Sequence, residues 1–431
     1  HRAEEEEEEE EPVASEGGGG NGEKKKSSKG KFGFKKSLKK GGGGDDNNKK
    51  GGGSNNNHHS GDNNNNDDEK KAPPGPRPVS FTPQRIAFAD QSTLPLHLGP
   101  ESSAPKTHPS WTPVSGTEFK VRAGPNYPKN GRKERSLESL YEVYCVRYFR
   151  SEKRTVGGAT RIMPLPEMGE RIVLPTNKEG GETEESTTGE KDATTTTTTN
   201  NNDTHPNNGS TSNDGDNDDN SKRPKMKPHP ELAGTSIPDI LVVHFMLPYD
   251  PPNMFKQTND GPGGECIYYL RPSQRFLDQL SGRAQCTPAA SLFRKWCAEC
   301  TTDCKMRSRF KCMALVRDID RHNFGLLKNY NGKPVLITES GRVSGGYHED
   351  VRYLEMTANV HHWAFMAKKG FVSLIPKFAN MQMEVGFTIE AHADSEMPEC
   401  MLGSTVLSYI NEMTGPMITA EMQEPVHEHQ S

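Results

Sequence analysis

LEMTANVHHWAFMAKKGFVSLIPKFANMQMEVGFTIEAH, residues 354–392, changes its hydrophobic period twice. Leu354, Met356, Ala358 and Val360 alternate with Glu355, Thr357 and Asn359, the period of a strand with one apolar face. Trp363, Met366, Ala367, Phe371, Leu374, Ile375 and Phe378 then follow helical spacing. Met383, Val385, Phe387, Ile389 and Ala391 alternate with polar neighbours as a second strand, and residues 402–410 supply a third. Strand, long helix, strand, strand predicts an α+β fold: a curved antiparallel sheet, wet on one side, packed around one main helix. Gly370 and Pro376 predict a weak point or kink in that helix. A sheet wrapped this way can enclose an apolar cavity.

Working outward, residues 240–247 (ILVVHFML) are apolar almost throughout, as in a central strand covered on both faces, which makes His244 a hydrogen-bonded core histidine. Residues 119–122, 141–149, 266–270, 310–316 and 334–338 read as further strands. Residues 289–300 read as a helix with Leu292, Phe293, Trp296 and Cys297 on one stripe.

The rest of the 431 residues is built differently. Residues 1–78 offer only Val13, Phe32, Phe34 and Leu38 as large apolar side chains, and residues 177–225 offer none. Neither stretch buries enough apolar surface to offset chain entropy, so both are expected to be disordered. The organisation expected is a tail over 1–78, an extended proline-rich lead-in over 79–110, one domain over 111–413 and a flexible end over 414–431. Strand patterns resume after the Asn/Thr-rich tract, so residues 177–228 are an insertion in that domain. A net charge of −5 argues against a nucleic-acid partner, and no apolar stretch approaches the ~18 residues of a transmembrane segment. The eight cysteines are expected to be reduced thiols of a cytoplasmic protein. Cys297, Cys300, Cys304 and Cys312 have partial zinc spacing, C-x2-C-x3-C-x7-C, but no glycine-rich knuckle frames them. No metal or cofactor is expected.

In the tail, KKKSSKGKFGFKKSLKK carries nine lysines and no acid. Lys24, Lys25, Lys26, Lys29, Lys31, Lys35, Lys36, Lys39 and Lys40 are interleaved with Phe32, Phe34 and Leu38. The segment resembles the effector segment of the MARCKS proteins, in which lysines sit at an anionic bilayer and aromatics dip into the interface. Ser27, Ser28 and Ser37 lie where phosphorylation weakens such attachment. A solvated charge run and a nuclear localisation signal are the competing readings.

Four stretches carry a family resemblance. They are Phe119-Lys120-Val121-Arg122 with Gly124-Pro125-Asn126-Tyr127; Arg307-x-Arg309-Phe310-Lys311; Lys333-Pro334-Val335-Leu336 with Tyr353-Leu354-Glu355-Met356; and residues 396–403, EMPECMLG. In this order they resemble the C-terminal domain of the plant Enhanced Disease Resistance 2 protein family. Where the family pattern has two aspartates in E-I-D-V-D-I-G, this chain has Thr357 and Asn359, with His361 replacing the glycine. The resemblance implies a domain of poorly defined activity, whose larger relatives carry lipid-binding modules ahead of it. Arg122, Arg309 and Lys333, inside these motifs, are candidate contacts for an anionic headgroup; ion pairs fixing the sheet edges are the alternative.

No phosphate loop or H-E-x-x-H pattern is present, and Ser344 in GRVSG is displaced by one from a nucleophile elbow. The expected function is therefore a non-catalytic, peripheral membrane regulatory module. Its partner is an anionic membrane lipid or a single lipid ligand, with protein partners also open. A hydrolase or acyl-transfer enzyme using the same cavity, and a protein-interaction module, are the alternatives.

Overall fold

The computed structural model describes residues 83–97, 108–168, 171, 227–255, 259–322 and 324–423, all within the unit Lys71–Ser431. The strands are β1 (Ser110–Pro113), β2 (Lys120–Arg122), β3 (Lys133–Arg135), β4 (Tyr141–Ser151), β5 (Ile240–Pro248), β6 (Gly263–Pro272), β7 (Phe310–Leu315), β8 (Val335–Leu336), β9 (Gly341–His348), β10 (Val351–Asn359), β11 (Gln382–Ile389), β12 (Met401–Ser408) and β13 (Met417–Ile418). The helices are α1 (Pro83–Ser92), α2 (Tyr127–Asn130), α3 (Gln274–Leu280), α4 (Pro288–Glu299), α5 (Cys304–Arg307), α6 (Phe365–Val372), α7 (Ile375–Phe378) and α8 (Ala420–Gln423).

The fold is α+β. One sheet has the order β1-β12-β11-β7-β8 and a second the order β13-β4-β6-β5-β10-β9, with β2 and β3 forming a separate ribbon. β4, which precedes the low-complexity tract, pairs along its length with β6, which follows it. Both chain segments therefore contribute to one hydrophobic cluster, which includes Tyr141, Val146, Leu241, Phe293, Met356 and Phe387. The six-stranded sheet is mixed rather than purely antiparallel, since β10 runs parallel to β5 and β13 parallel to β4.

β5 lies between β6 and β10, and both its faces are covered. Leu241, Val243 and Phe245 face the five-stranded sheet side, whereas Ile240 and Val242 pack in an outer cluster with Phe149, Met163 and Leu165. That outer layer corrects the expectation of a wet face. Glu355, Thr357 and Asn359 are buried, because the segment after β4 folds back over them.

The helix between β10 and β11 is broken. α6 ends at Val372 with Ser373 as its C-cap, and α7 restarts with proline in its first turn. Pro376 has no N–H to continue the earlier ladder, which accounts for the break. The helix that fills the core is instead α4. Tyr141, Phe293, Trp296, Phe310 and Phe387 form a chain of aromatic contacts with successive centroid distances of 5.4, 5.9, 5.7 and 6.0 Å.

Two flanking expectations need correction. Within the lead-in, Pro83–Ser92 is helical, with Phe88 against Phe149 at 5.4 Å and Ala89 buried. Pro83 suits a first helical position, since its missing N–H is not needed there. At the other end, the Arg150 amide bonds the Pro416 carbonyl at 2.8 Å and Ile418 is buried, so β13 is docked. A two-residue strand has no period to read. Residues 1–78, residues 177–226 of the insertion and residues 424–431 lie outside the described residues.

Candidate functional site

Strand alternation puts Phe245 and Leu247 of β5, Tyr268 of β6, Cys312 and Ala314 of β7 and Val385 of β11 around one space between the sheets. The turn after β10 and the α6–α7 segment close it with Val360, Trp363, Phe371 and Phe378. The result is an apolar cavity of about 200 Å³. Ala314, Tyr330, Lys333 and Val335 are its exposed members and mark its mouth. Lys333 holds its ammonium 5.8 Å from the centre of the Tyr330 ring.

The described lining holds no carboxylate, imidazole, serine or threonine. Its two thiols, Cys266 and Cys312, are pushed up to about 12 by burial, so neither is a thiolate at neutral pH. Acyl transfer in this cavity would lack both a base and an activated nucleophile.

The other two headgroup candidates are engaged with acids. Arg122 bonds Glu390 at 2.7 Å, and Arg309 donates to the Glu390 carbonyl at 2.7 Å and to the Glu396 carboxylate at 2.5 Å. Lys311 grips both oxygens of Glu399 at 2.7 Å, with 2% and 1% side-chain exposure. Three of the sequence motifs thus converge on one another as an ion-pair network where β7 begins and β11 ends. Neither guanidinium meets Lys333 at the cavity.

The spacing of the motifs gave no sign of a second buried cluster. His244 of β5 contacts Glu265 of β6 at 2.6 Å and Glu355 of β10 at 3.2 Å, all three essentially inaccessible to solvent. Burial alone would lower the imidazole, but the two carboxylates outweigh it and raise His244 to about 9. Glu355 also accepts from the amides of Ala159 and Thr160 at 2.6 and 3.1 Å, and Glu265 from the amide of Thr155 at 2.7 Å. Gly158 permits this approach: it has φ +94°, and a Cβ there would lie 2.5 Å from Glu355. The period-2 pattern placed the polar residues of β10 on one face; only the cross-strand register reveals what they meet.

The four cysteines do not converge. Cys297 and Cys300 are buried on and after α4, Cys304 is exposed, and Cys312 faces the cavity. Among the described residues no helix is long and apolar enough to cross a membrane. The basic segment 24–40, with Ser27, Ser28 and Ser37, lies outside the described residues.

A family model described as Protein ENHANCED DISEASE RESISTANCE 2, C-terminal matches residues 111–411, from β1 to just beyond β12. No curated protein and no solved structure matches the chain.

Proposed function

The chain belongs to the Enhanced Disease Resistance 2 C-terminal domain family, and from that premise we propose that it is a non-catalytic lipid-binding regulatory module at membrane surfaces. The apolar cavity beneath α6–α7 is the observation that carries the reading. Its volume lies below the ~300–1,000 Å³ of drug-sized sites, so it suits one acyl chain or part of one rather than a whole bilayer lipid. Lys333 at the mouth supplies a cation for a carboxylate or phosphate left outside.

Surface features support contact with a bilayer. The loop joining β5 to β6 exposes Met254 and Phe255, at 75% and 98%. Met366, in the segment that follows β10, is also exposed, as is Met413, whose sulfur lies 3.7 Å from Arg150 near the end of β4. Apolar side chains of this kind bury readily at the headgroup boundary. The basic tail segment adds electrostatic attraction.

Native mass spectrometry and lipid extraction of the purified full chain test the cavity. A co-purifying fatty acid or single-chain lipid is expected. Because a cavity of roughly 150 Å³ accommodates benzene, a ring placed at position 314 should fill this one. Ala314→Phe is therefore expected to abolish lipid capture while leaving the thermal midpoint unchanged or higher. Lipid capture that Ala314→Phe leaves intact, or no capture of added fluorescent fatty acid by the wild-type chain, overturns the reading.

A further inference from the structure

On β5 and β10, the residues facing away from the apolar cavity border a second pocket, of about 210 Å³. Here Met246, Thr357 and Asn359 meet groups from three separate segments. Arg154 comes from the loop after β4, Arg342 from β9, and His362 from the turn after β10.

Two arginines line this pocket, and two of its buried polar atoms, the Nε of Arg154 and the hydroxyl of Thr155, lack a partner among the described residues. The backbone amide of Arg154 donates to Asp260 at 2.8 Å, which fixes the loop without engaging that Nε. Arg342, which is exposed, donates to the carbonyls of Glu339 at 2.9 Å and Gly341 at 2.7 Å. Glu339 is the one carboxylate in the described lining, and it is exposed. A buried guanidinium donor without an acceptor is costly, so a ligand that supplies one is favoured. The local field has the same sign. Burial first, then Arg154, Arg342 and Lys368, lower His362, with no acid opposing them.

We infer that this pocket is an oxyanion site, binding a phosphate-type group between Arg154 and Arg342 with His362 at its rim. The planar guanidinium fork matches two phosphate oxygens at once. Thr357 and Asn359 keep the inner wall neutral; an aspartate at either position would put a carboxylate where the anion sits. The ligand is either a free phosphate or phosphorylated metabolite, or a lipid headgroup. The pocket lies at the end of the sheet that also exposes Met254 and Phe255, so both routes are open.

Thermal unfolding of the full chain, titrated with inorganic phosphate and separately with dihexanoyl phosphatidic acid, tests this against chloride at matched ionic strength. The midpoint is expected to rise with ligand concentration. Arg342→Gln, at an exposed position, should weaken the response about tenfold or more, as should Arg154→Gln and Thr357→Asp, each read against that variant's own unliganded midpoint. Phosphate should also raise the titration midpoint of His362 in NMR spectra, which tail binding would not do. Stabilisation by both ligands, lost in the variants, supports the site with a free oxyanion. Stabilisation by the phospholipid alone, lost in the same variants, supports it with a headgroup. Stabilisation by neither, or a response that survives all three substitutions as the tail lysines would produce, overturns it. Lipid extraction reports on the opposite face of the sheet, so the two proposals fail separately.

Discussion

Lys311 and Glu399 face each other with almost no access to water, and burial lowers the lysine against the pull of its partner. Two desolvated charges hold together mainly because each would be worse off alone. Lys311→Met is therefore expected to cost about 3–5 kcal/mol in urea unfolding, while Lys311→Met with Glu399→Met recovers most of the loss. His244 makes a pH-dependent case. Its folded value of about 9 stands above its ordinary 6.5, so its contribution is complete below 6.5 and is lost as pH rises towards 9. Glu355 is lowered despite burial, by His244, Thr160 and the Ala159 amide, so its contribution is lost as the medium becomes acid. Unfolding free energy should thus fall on both sides of neutrality. His244→Phe should flatten the alkaline limb and cost about 3–5 kcal/mol near pH 7, by leaving two buried carboxylates adjacent. An alkaline limb unchanged in that variant would exclude the imidazolium as its source.

Elements with a sustained period were legible from the chain. β4, β5, β10, β11, β12 and α4 all lie where alternation, a continuous apolar run or a helical stripe placed them, because each packs at least one face against the core. β9 escaped notice because GRVSGGYH is an exposed edge strand of glycines and polar residues, held only by β10. The covered outer face of β10 was equally invisible, since Glu355 is buried by partners some hundred and two hundred residues away in sequence. The cavity follows the same logic. The inward positions were readable, but the gap between two sheets depends on how α6 and α7 sit, and their stripe reads alike whether they fill a core or roof a space. The β5–β6 loop, whose Met254 and Phe255 no periodicity flags, makes its own prediction. Met254→Asp with Phe255→Asp should leave the unfolding free energy within about 0.5 kcal/mol of wild type, as exposed substitutions do. It should also reduce co-sedimentation with vesicles several-fold. Unchanged sedimentation would remove this loop from the membrane contact.

At the scale of the whole chain, the proposed membrane attachment would have to come from more than one weak contact. A single inserted chain or loop gives only marginal, reversible binding, and stable anchoring takes two signals. The nine lysines of residues 24–40 are the second signal proposed here. Each lysine near an anionic surface contributes about 1 kcal/mol, so engagement of even half of them adds several. This attraction acts between exposed charges and is screened, the Debye length shrinking from about 8 Å at physiological salt to about 3 Å at 1 M. Phosphates on Ser27, Ser28 and Ser37, each bringing about −1.5 to −2 charges, would cancel about half to two-thirds of the segment's charge. The full chain is therefore expected to sediment with phosphatidylserine-containing vesicles and far less with zwitterionic ones, and to be released by 1 M salt. Lys24, Lys25, Lys26 and Lys29 changed together to Glu, or the three serines changed to Glu, should each weaken binding by tenfold or more, given about 1 kcal/mol per lysine. The domain's fold and its lipid capture should be untouched. If binding ignores anionic lipid, salt and these substitutions alike, the tail takes no part in attachment, and the apolar loop at the end of the sheet would have to account for it alone.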